Sequence, residues 1–193
     1  MSRRLTALAV AVIALLAGAG CADDVSPAAR VGSTTIANSA FLDEVDAWAT
    51  LQPDALAGSS DASYSADIVR QLLTQRVEFE LTSQAFDEEG LELTEELRDD
   101  ALASLQLDDP DDAEEAFAPW DEDFASAFVD DIARQIGLQM ELDEDYDARM
   151  DDAYADADIM VNTRYGSWDA ASRQVVAPAG PSQPASADDA ISP

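Results

Sequence analysis

Between Ser65 and Gly90 the chain runs about 25 residues with no internal proline or glycine, and its apolar residues recur at helical spacing. Val69, Leu72, Leu73, Val77, Leu81 and Ala85 form one stripe, flanked by Ile68, Phe79 and Phe86. A stripe this wide has to lie against other elements, so the segment predicts a long helix at the centre of a packed domain. Its ends carry stop signals. Ser65 is a candidate cap, Asp67 sits where the helix dipole favours an anion, and Tyr64 can staple onto Val69. Gly90 supplies the left-handed residue that ends many helices.

The first twenty residues read as an export signal rather than as part of this fold. Ser2, Arg3 and Arg4 make a basic start, Leu5 to Leu16 an apolar run, and Ala17 to Gly20 a small-residue exit. The run is shorter than the ~20 apolar residues a spanning helix needs. Cys21 follows at once and is the sole cysteine of the chain. Gly18-Ala19-Gly20-Cys21 resembles a bacterial lipobox, with glycine where that pattern prefers leucine. The resemblance implies that Cys21 is lipidated and anchors the protein to the membrane on its extracytoplasmic face. A single cysteine also leaves no internal disulfide, so stability must come from a buried core. The organisation expected is a signal over residues 1–20, a tether over 21–27, one domain over 28–176, and a disordered tail over 177–193 rich in alanine, proline and serine.

Charge narrows the function further. Forty-one acidic residues face ten arginines, and the chain has no lysine and no histidine. With a formal charge of −31 it repels nucleic acid and anionic lipid headgroups. The carboxylates are spread along the whole chain, which favours a solvated, salt-tolerant surface over a dedicated patch for basic clients. Without histidine, Ser-His-Asp and Cys-His catalysis and zinc or iron sites drop out. No glycine-rich phosphate loop is present. Asp143-Glu144-Asp145-Tyr146-Asp147 alternates acids like a calcium loop, but Ala148 stands where the glycine is needed. A glycosidase would need two particular acids in one cleft, and the sequence singles out none. No cofactor, no metal and no catalytic residue are expected.

In order along the chain, Ala29-Arg30-Val31, Gly32-Ser33 and Thr34-Thr35-Ile36 read as a small hairpin with a type II′ turn. It is too small to stand alone and needs a further strand or a helix. Asn38 or Ser39 begins a helix with Phe41, Leu42, Val45, Trp48 and Ala49 on one face, ended by Pro53. A loop over 54–63 precedes the long helix. Thr94 caps a helix carrying Leu97, Ala101, Leu102 and Leu105, and residues 108–115 read as an acidic break around Pro110. A second long helix begins near Pro119, with Trp120, Phe124, Phe128, Ile132, Ile136 and Met140 at a spacing of four, and tolerates Gly137 at about 1 kcal/mol relative to alanine. An acidic helix over 143–155 has Tyr146, Met150 and Tyr154 as anchors. Ile159 and Val161 then alternate with Met160 and Asn162 as a strand, followed by Tyr165-Gly166-Ser167-Trp168.

This order, with the residues 29–36 and Phe41, Leu72-Leu73 through Gln84-Ala85, the Gly90-Leu91-Glu92-Leu93-Thr94-Glu95-Glu96 turn and Ile159 through Asp169, resembles the N-terminal chaperone domain of the SurA/PrsA family of exported foldases. Gly32-Ser33 stands for that family's usual Asn-Gly, and Ala37 for the threonine that caps its first helix, a role Asn38 could assume. The resemblance implies a mainly α domain whose N-terminal hairpin pairs with a returning C-terminal strand. It also implies a chaperone-like protein that binds unfolded or nascent exported polypeptides without catalysis. The parvulin isomerase domain of many members has no counterpart in the sequence, so prolyl isomerase activity is not expected. An envelope scaffold with one dedicated partner is the alternative.

A peptide groove would draw on Phe41, Trp48, Phe79, Phe86, Trp120, Phe124 and Phe128. For each, packing into the core competes with groove lining and is the stronger reading, because aromatic residues at helical spacing usually point inward.

Overall fold

The computed structural model describes residues 26–51, 64–107 and 109–178; the segment expected to be an export signal, Cys21, the expected loop over 54–63 and most of the expected tail lie outside the described residues. The domain is mainly helical, with a small antiparallel hairpin near the N-terminus that pairs with a C-terminal strand.

Strands β1 (Ala29–Val31) and β2 (Thr34–Ile36) pair antiparallel, Ala29 opposite Ile36 and Val31 opposite Thr34. Gly32 takes a φ of +57° at the first turn position, as a type II′ turn requires. The missing partner is β3 (Ile159–Val161), which pairs with the other edge of β1, giving the order β2-β1-β3. Ala29 and Val31 are buried while Arg30 is exposed, so one face of this sheet turns to the helices.

Helix α1 (Asn38–Leu51) buries Phe41 and Val45, with Leu42, Trp48 and Ala49 half-buried. Asn38 does not serve as the expected cap. The Phe41 amide bonds the Ala37 carbonyl, and the Asn38 side chain is instead buried, accepting a hydrogen bond from Tyr165.

The central helix α2 (Ala66–Glu88) matches its sequence signature closely. Leu72, Leu73, Val77, Leu81 and Ala85 are buried along the stripe, with Phe79 and Phe86 beside them. At its C-terminus Gly90 has φ +72°, the Gly90 amide bonds the Asp87 carbonyl, and the Leu91 amide reaches back to the Phe86 carbonyl. These are the two bonds of a Schellman motif, and Leu91 packs against the core. At the other end Ser65 has the extended backbone of a cap residue, but its hydroxyl makes no capping bond. On a half-buried flank Gln84 Nε2 donates to the Val31 carbonyl at 3.2 Å, fastening α2 to the hairpin turn.

Helix α3 (Glu95–Ser104) starts at Thr94, whose Oγ1 accepts from the Leu97 amide. The acidic break is in fact a helix, α4 (Pro110–Phe117). Asp109 accepts from the Asp111 amide, Pro110 occupies the first turn, and Asp111 and Asp112 follow, a combination that favours helix initiation rather than interruption. Helix α5 (Glu122–Leu142) is capped by Asp121 and packs along α2 and α3. Its row at a spacing of four drifts, because four residues turn by about 400° rather than 360°. Phe124 and Phe128 therefore pack half-buried against Trp120 while Met140 is 67 % exposed, and the second half buries Ala133, Gly137 and Leu138 instead. Gly137 has a packing role beyond its cost in helix propensity. A Cβ there would lie 2.9 Å from both Leu97 Cδ1 and Phe86 Cε2, so glycine allows α2, α3 and α5 to approach.

A short 3₁₀ turn (Asp143–Asp145) leads into α6 (Tyr146–Asp156), which buries Met150 and rests Tyr146 and Tyr154 on the core. After β3 the chain makes a second hairpin that the sequence reading did not contain, β4 (Ser167–Asp169) with β5 (Gln174–Val176). It docks on α2 through the Val175 amide, which donates to Thr74 Oγ1 at 2.9 Å, and through the buried Val175 side chain. Trp168 stacks on Tyr154, and the Arg173 guanidinium lies over the same ring, 4.6 Å from its centroid.

Candidate functional site

Of the seven aromatic residues drawn from the sequence, Phe41 and Phe86 are closed into the core at 1 % and 2 % exposure. Phe41 meets Tyr165 edge-on, with ring centroids 5.2 Å apart. The other five form one aromatic cluster where α1, α2 and the start of α5 converge. Trp120 is its hub: its ring lies 5.3 Å from Trp48, 4.8 Å from Phe124 and 5.3 Å from Phe128. Its indole N–H donates to the Ala47 carbonyl at 3.0 Å, pinning the base of α5 to α1. Phe79 reaches the cluster through Phe128, and Phe117, at the end of α4, stacks on Trp120. Phe79 and Trp120 are buried, whereas Trp48, Phe124 and Phe128 remain half-buried.

Beside this cluster a cleft of about 360 Å³ opens between α1, α2, α5 and the end of β2. Phe79, Phe124 and Phe128 line it, with the buried Phe41 and with Ala40 and Ala127 at exposed positions. Such a volume lies near the lower end of ordinary ligand pockets. Ala40 and Phe124 are shared with a second, broader cleft of about 600 Å³, which adds Trp120 and the acids Asp43, Asp46 and Asp121.

The polar floor of the first cleft was not anticipated. It holds Arg76 from α2, Asp131 from α5, and Glu44 from α1, with Glu80 nearby. Arg76 Nη1 donates to Asp131 Oδ2 at 2.5 Å, and Arg134 Nη1 lies 3.4 Å from Asp131 Oδ1. Glu80 accepts from Gln84 Nε2 at 2.9 Å. Glu44 differs. It is 9 % exposed, its carboxyl keeps a little contact with solvent, and it has no hydrogen-bond or ion-pair partner among the described residues. Burial pushes it up to about 7, with Arg76 pulling it down and Asp131 adding to the rise. Burial also raises Asp131, against the pull of Arg76 and Arg134.

Helical spacing in the sequence does carry a trace of this floor. Glu44 stands three residues after Phe41 and four before Trp48, Arg76 stands three before Phe79, and Asp131 stands three after Phe128. All three are charged residues within apolar stripes. With so many acids in the chain, residue type hides the signal and only position reveals it.

The arrangement can accept an apolar or aromatic side chain against the rings, beside one unpaired carboxyl. Both oxygens of Asp131 are engaged by arginines, so Glu44 and Asp131 are not two free acids poised for hydrolysis. Among the described residues no three acid, cysteine or histidine side chains are grouped to hold a metal ion. The alternating acids over 143–147 form the 3₁₀ turn and the first residues of α6. No described helix is long and apolar enough to cross a membrane. The fold and cleft thus define a mainly helical domain, closed by a three-stranded sheet, with an aromatic, acid-floored cleft. Comparison with protein-family models, curated proteins and solved structures finds no match to the chain.

Proposed function

We propose that this chain is a membrane-anchored, extracytoplasmic chaperone-like protein that holds exposed apolar or aromatic segments of exported polypeptides without turnover. The observation that carries the reading is the half-buried state of Phe124 and Phe128 along a cleft backed by the buried Phe79, with Phe124 also lining the neighbouring cleft beside the buried Trp120. Large rings left partly in water at a concave site provide area that a client side chain would cover, at about 25 cal/mol per Å². Ordering a flexible client offsets much of that gain, so affinity is weak and broad. Export and anchorage rest on the leader-like residues 1–20 and on Cys21. The SurA/PrsA resemblance supports the same reading, since it implies a hairpin closed by a returning strand in a peptide-holding domain.

The test is whether the purified chain suppresses aggregation of an unfolded model protein at stoichiometric amounts, over a range of salt concentrations that screens the acidic surface. Suppression is the expected result. Its absence at every salt concentration, with one abundant partner co-purifying instead, would replace this reading with a dedicated scaffold.

A further inference from the structure

Three carboxylates face a single guanidinium in the cleft, and that guanidinium is already taken by Asp131. Glu80 is held by Gln84, which leaves Glu44 nine-tenths buried and without a described partner. A carboxylate that keeps only a narrow contact with water, through the cleft mouth, is costly unless something neutralises it. The rings around it add a second preference, because the faces of phenylalanine attract cations and do so more strongly away from water. We propose that this cleft is the receptor for a cationic side chain, lysine or arginine, carried by a bound polypeptide, with Glu44 as the counter-charge and Phe79, Phe124 and Phe128 as the walls. The proposal rests on the polypeptide-binding reading above and names the part of the client that is recognised.

Charge complementarity singles out this occupant. The neighbouring cleft presents Asp43, Asp46 and Asp121, so a cation approaches through a negative field and an anion is turned away. A neutral side chain would cover the rings but leave Glu44 unpaired. The charged groups lining the cleft with Glu44 are Arg76 and Glu80 from α2 and Asp131 from α5; β2 contributes Thr34, Thr35 and Ile36, none of them titratable. With its carboxyl pushed up to about 7, Glu44 holds a proton in a large share of molecules at neutral pH. An arriving cation expels that proton, so binding strengthens as pH rises through this range.

The experiment titrates the purified chain with N-acetyl-arginine amide, N-acetyl-lysine amide and the uncharged N-acetyl-norleucine amide, following the amide resonances of Ala40, Ala127 and Phe128. The two cationic probes should bind saturably, at least about tenfold more tightly than norleucine amide. Glu44→Gln should lower their affinity by at least about tenfold and abolish the strengthening between about pH 6 and about pH 8. Ala40→Leu, at an exposed position lining the cleft, should weaken all three probes, which guards against a Glu44→Gln variant that misfolds. Equal binding of charged and uncharged probes, unchanged affinity in Glu44→Gln, or no binding of any probe overturns the proposal. If wild type and Glu44→Gln hold an unfolded polypeptide equally well, the chaperone reading stands and the cationic receptor falls. If arginine amide binds through Glu44 while no unfolded polypeptide binds, the reverse holds.

Discussion

Tyr165 donates a 2.6 Å hydrogen bond from its Oη to Asn38 Oδ1, joining the segment after the returning strand to the first residue of α1. Both residues are buried, and the Tyr165 ring packs edge-on against Phe41. The sheet joins the two ends of the domain through backbone pairing; this contact joins them through side chains. Replacing Tyr165 with phenylalanine keeps the ring and removes the donor. Asn38 Oδ1 is then left with Arg164, whose Nη1 is 3.5 Å away. The expected loss is about 1–2 kcal/mol in denaturant unfolding, with little change in slope. A loss no larger than that of an exposed substitution would show that the bond is not formed.

Glu44 should make stability depend on pH in a direction opposite to that of ordinary paired carboxylates. Its folded-state value, about 7, lies above its ordinary 4.5. Its contribution is therefore fully present below about pH 4.5 and is lost as pH rises through about 7. Subtracting the unfolding free energies of wild type from those of Glu44→Gln removes the many other carboxylates from the comparison. That difference should grow in favour of Glu44→Gln by on the order of 3 kcal/mol between about pH 4.5 and about pH 8.5. A flat difference would mean that Glu44 is solvated in the folded state.

Two glycines should respond to alanine for different reasons. Gly166 has φ +145°, and a Cβ there would lie 2.0 Å from the Val176 carbonyl oxygen, an obstacle of rigid backbone. Gly166→Ala should cost roughly 3 kcal/mol or more and release the second hairpin from α2. At Gly137 the obstacles are the Leu97 side chain and the Phe86 ring, which can yield slightly. Overpacking of about 1–3 kcal/mol then competes with about 1 kcal/mol of gained helix propensity, leaving a net destabilisation near 1 kcal/mol. Denaturation midpoints of the two variants test the order; a stabilised Gly137→Ala would contradict the close approach of α2, α3 and α5.

Much of the fold was legible because local chemistry and global packing agree. The stripe of α2, its Gly90 stop, the Thr94 cap and the alternation of Ile159 and Val161 each appear in the structure. The second hairpin was not legible, since three-residue arms turned by Arg173 at φ +54° carry little pattern of their own and depend on docking to Thr74. The C-terminus of α3 was hidden for a similar reason: Gln106 takes the left-handed position, φ +62°, that glycine usually marks. At the candidate site the aromatic residues were visible in the sequence and their gathering around Trp120 was not. Glu44, Arg76 and Asp131 were obscured by the abundance of acids, and only packing of three helices shows that their positions converge.

The most direct test of polypeptide holding asks where an unfolded client touches the protein. A photo-activatable side chain placed at Ala40 or Ala127, both exposed and lining the cleft, should form covalent adducts with a permanently unfolded polypeptide on illumination. The same group at Met140, 67 % exposed on the far part of α5, should form few. Excess unlabelled client should abolish the adducts at the cleft. Adducts at Ala40 and Ala127 no more frequent than at Met140 would contradict the account.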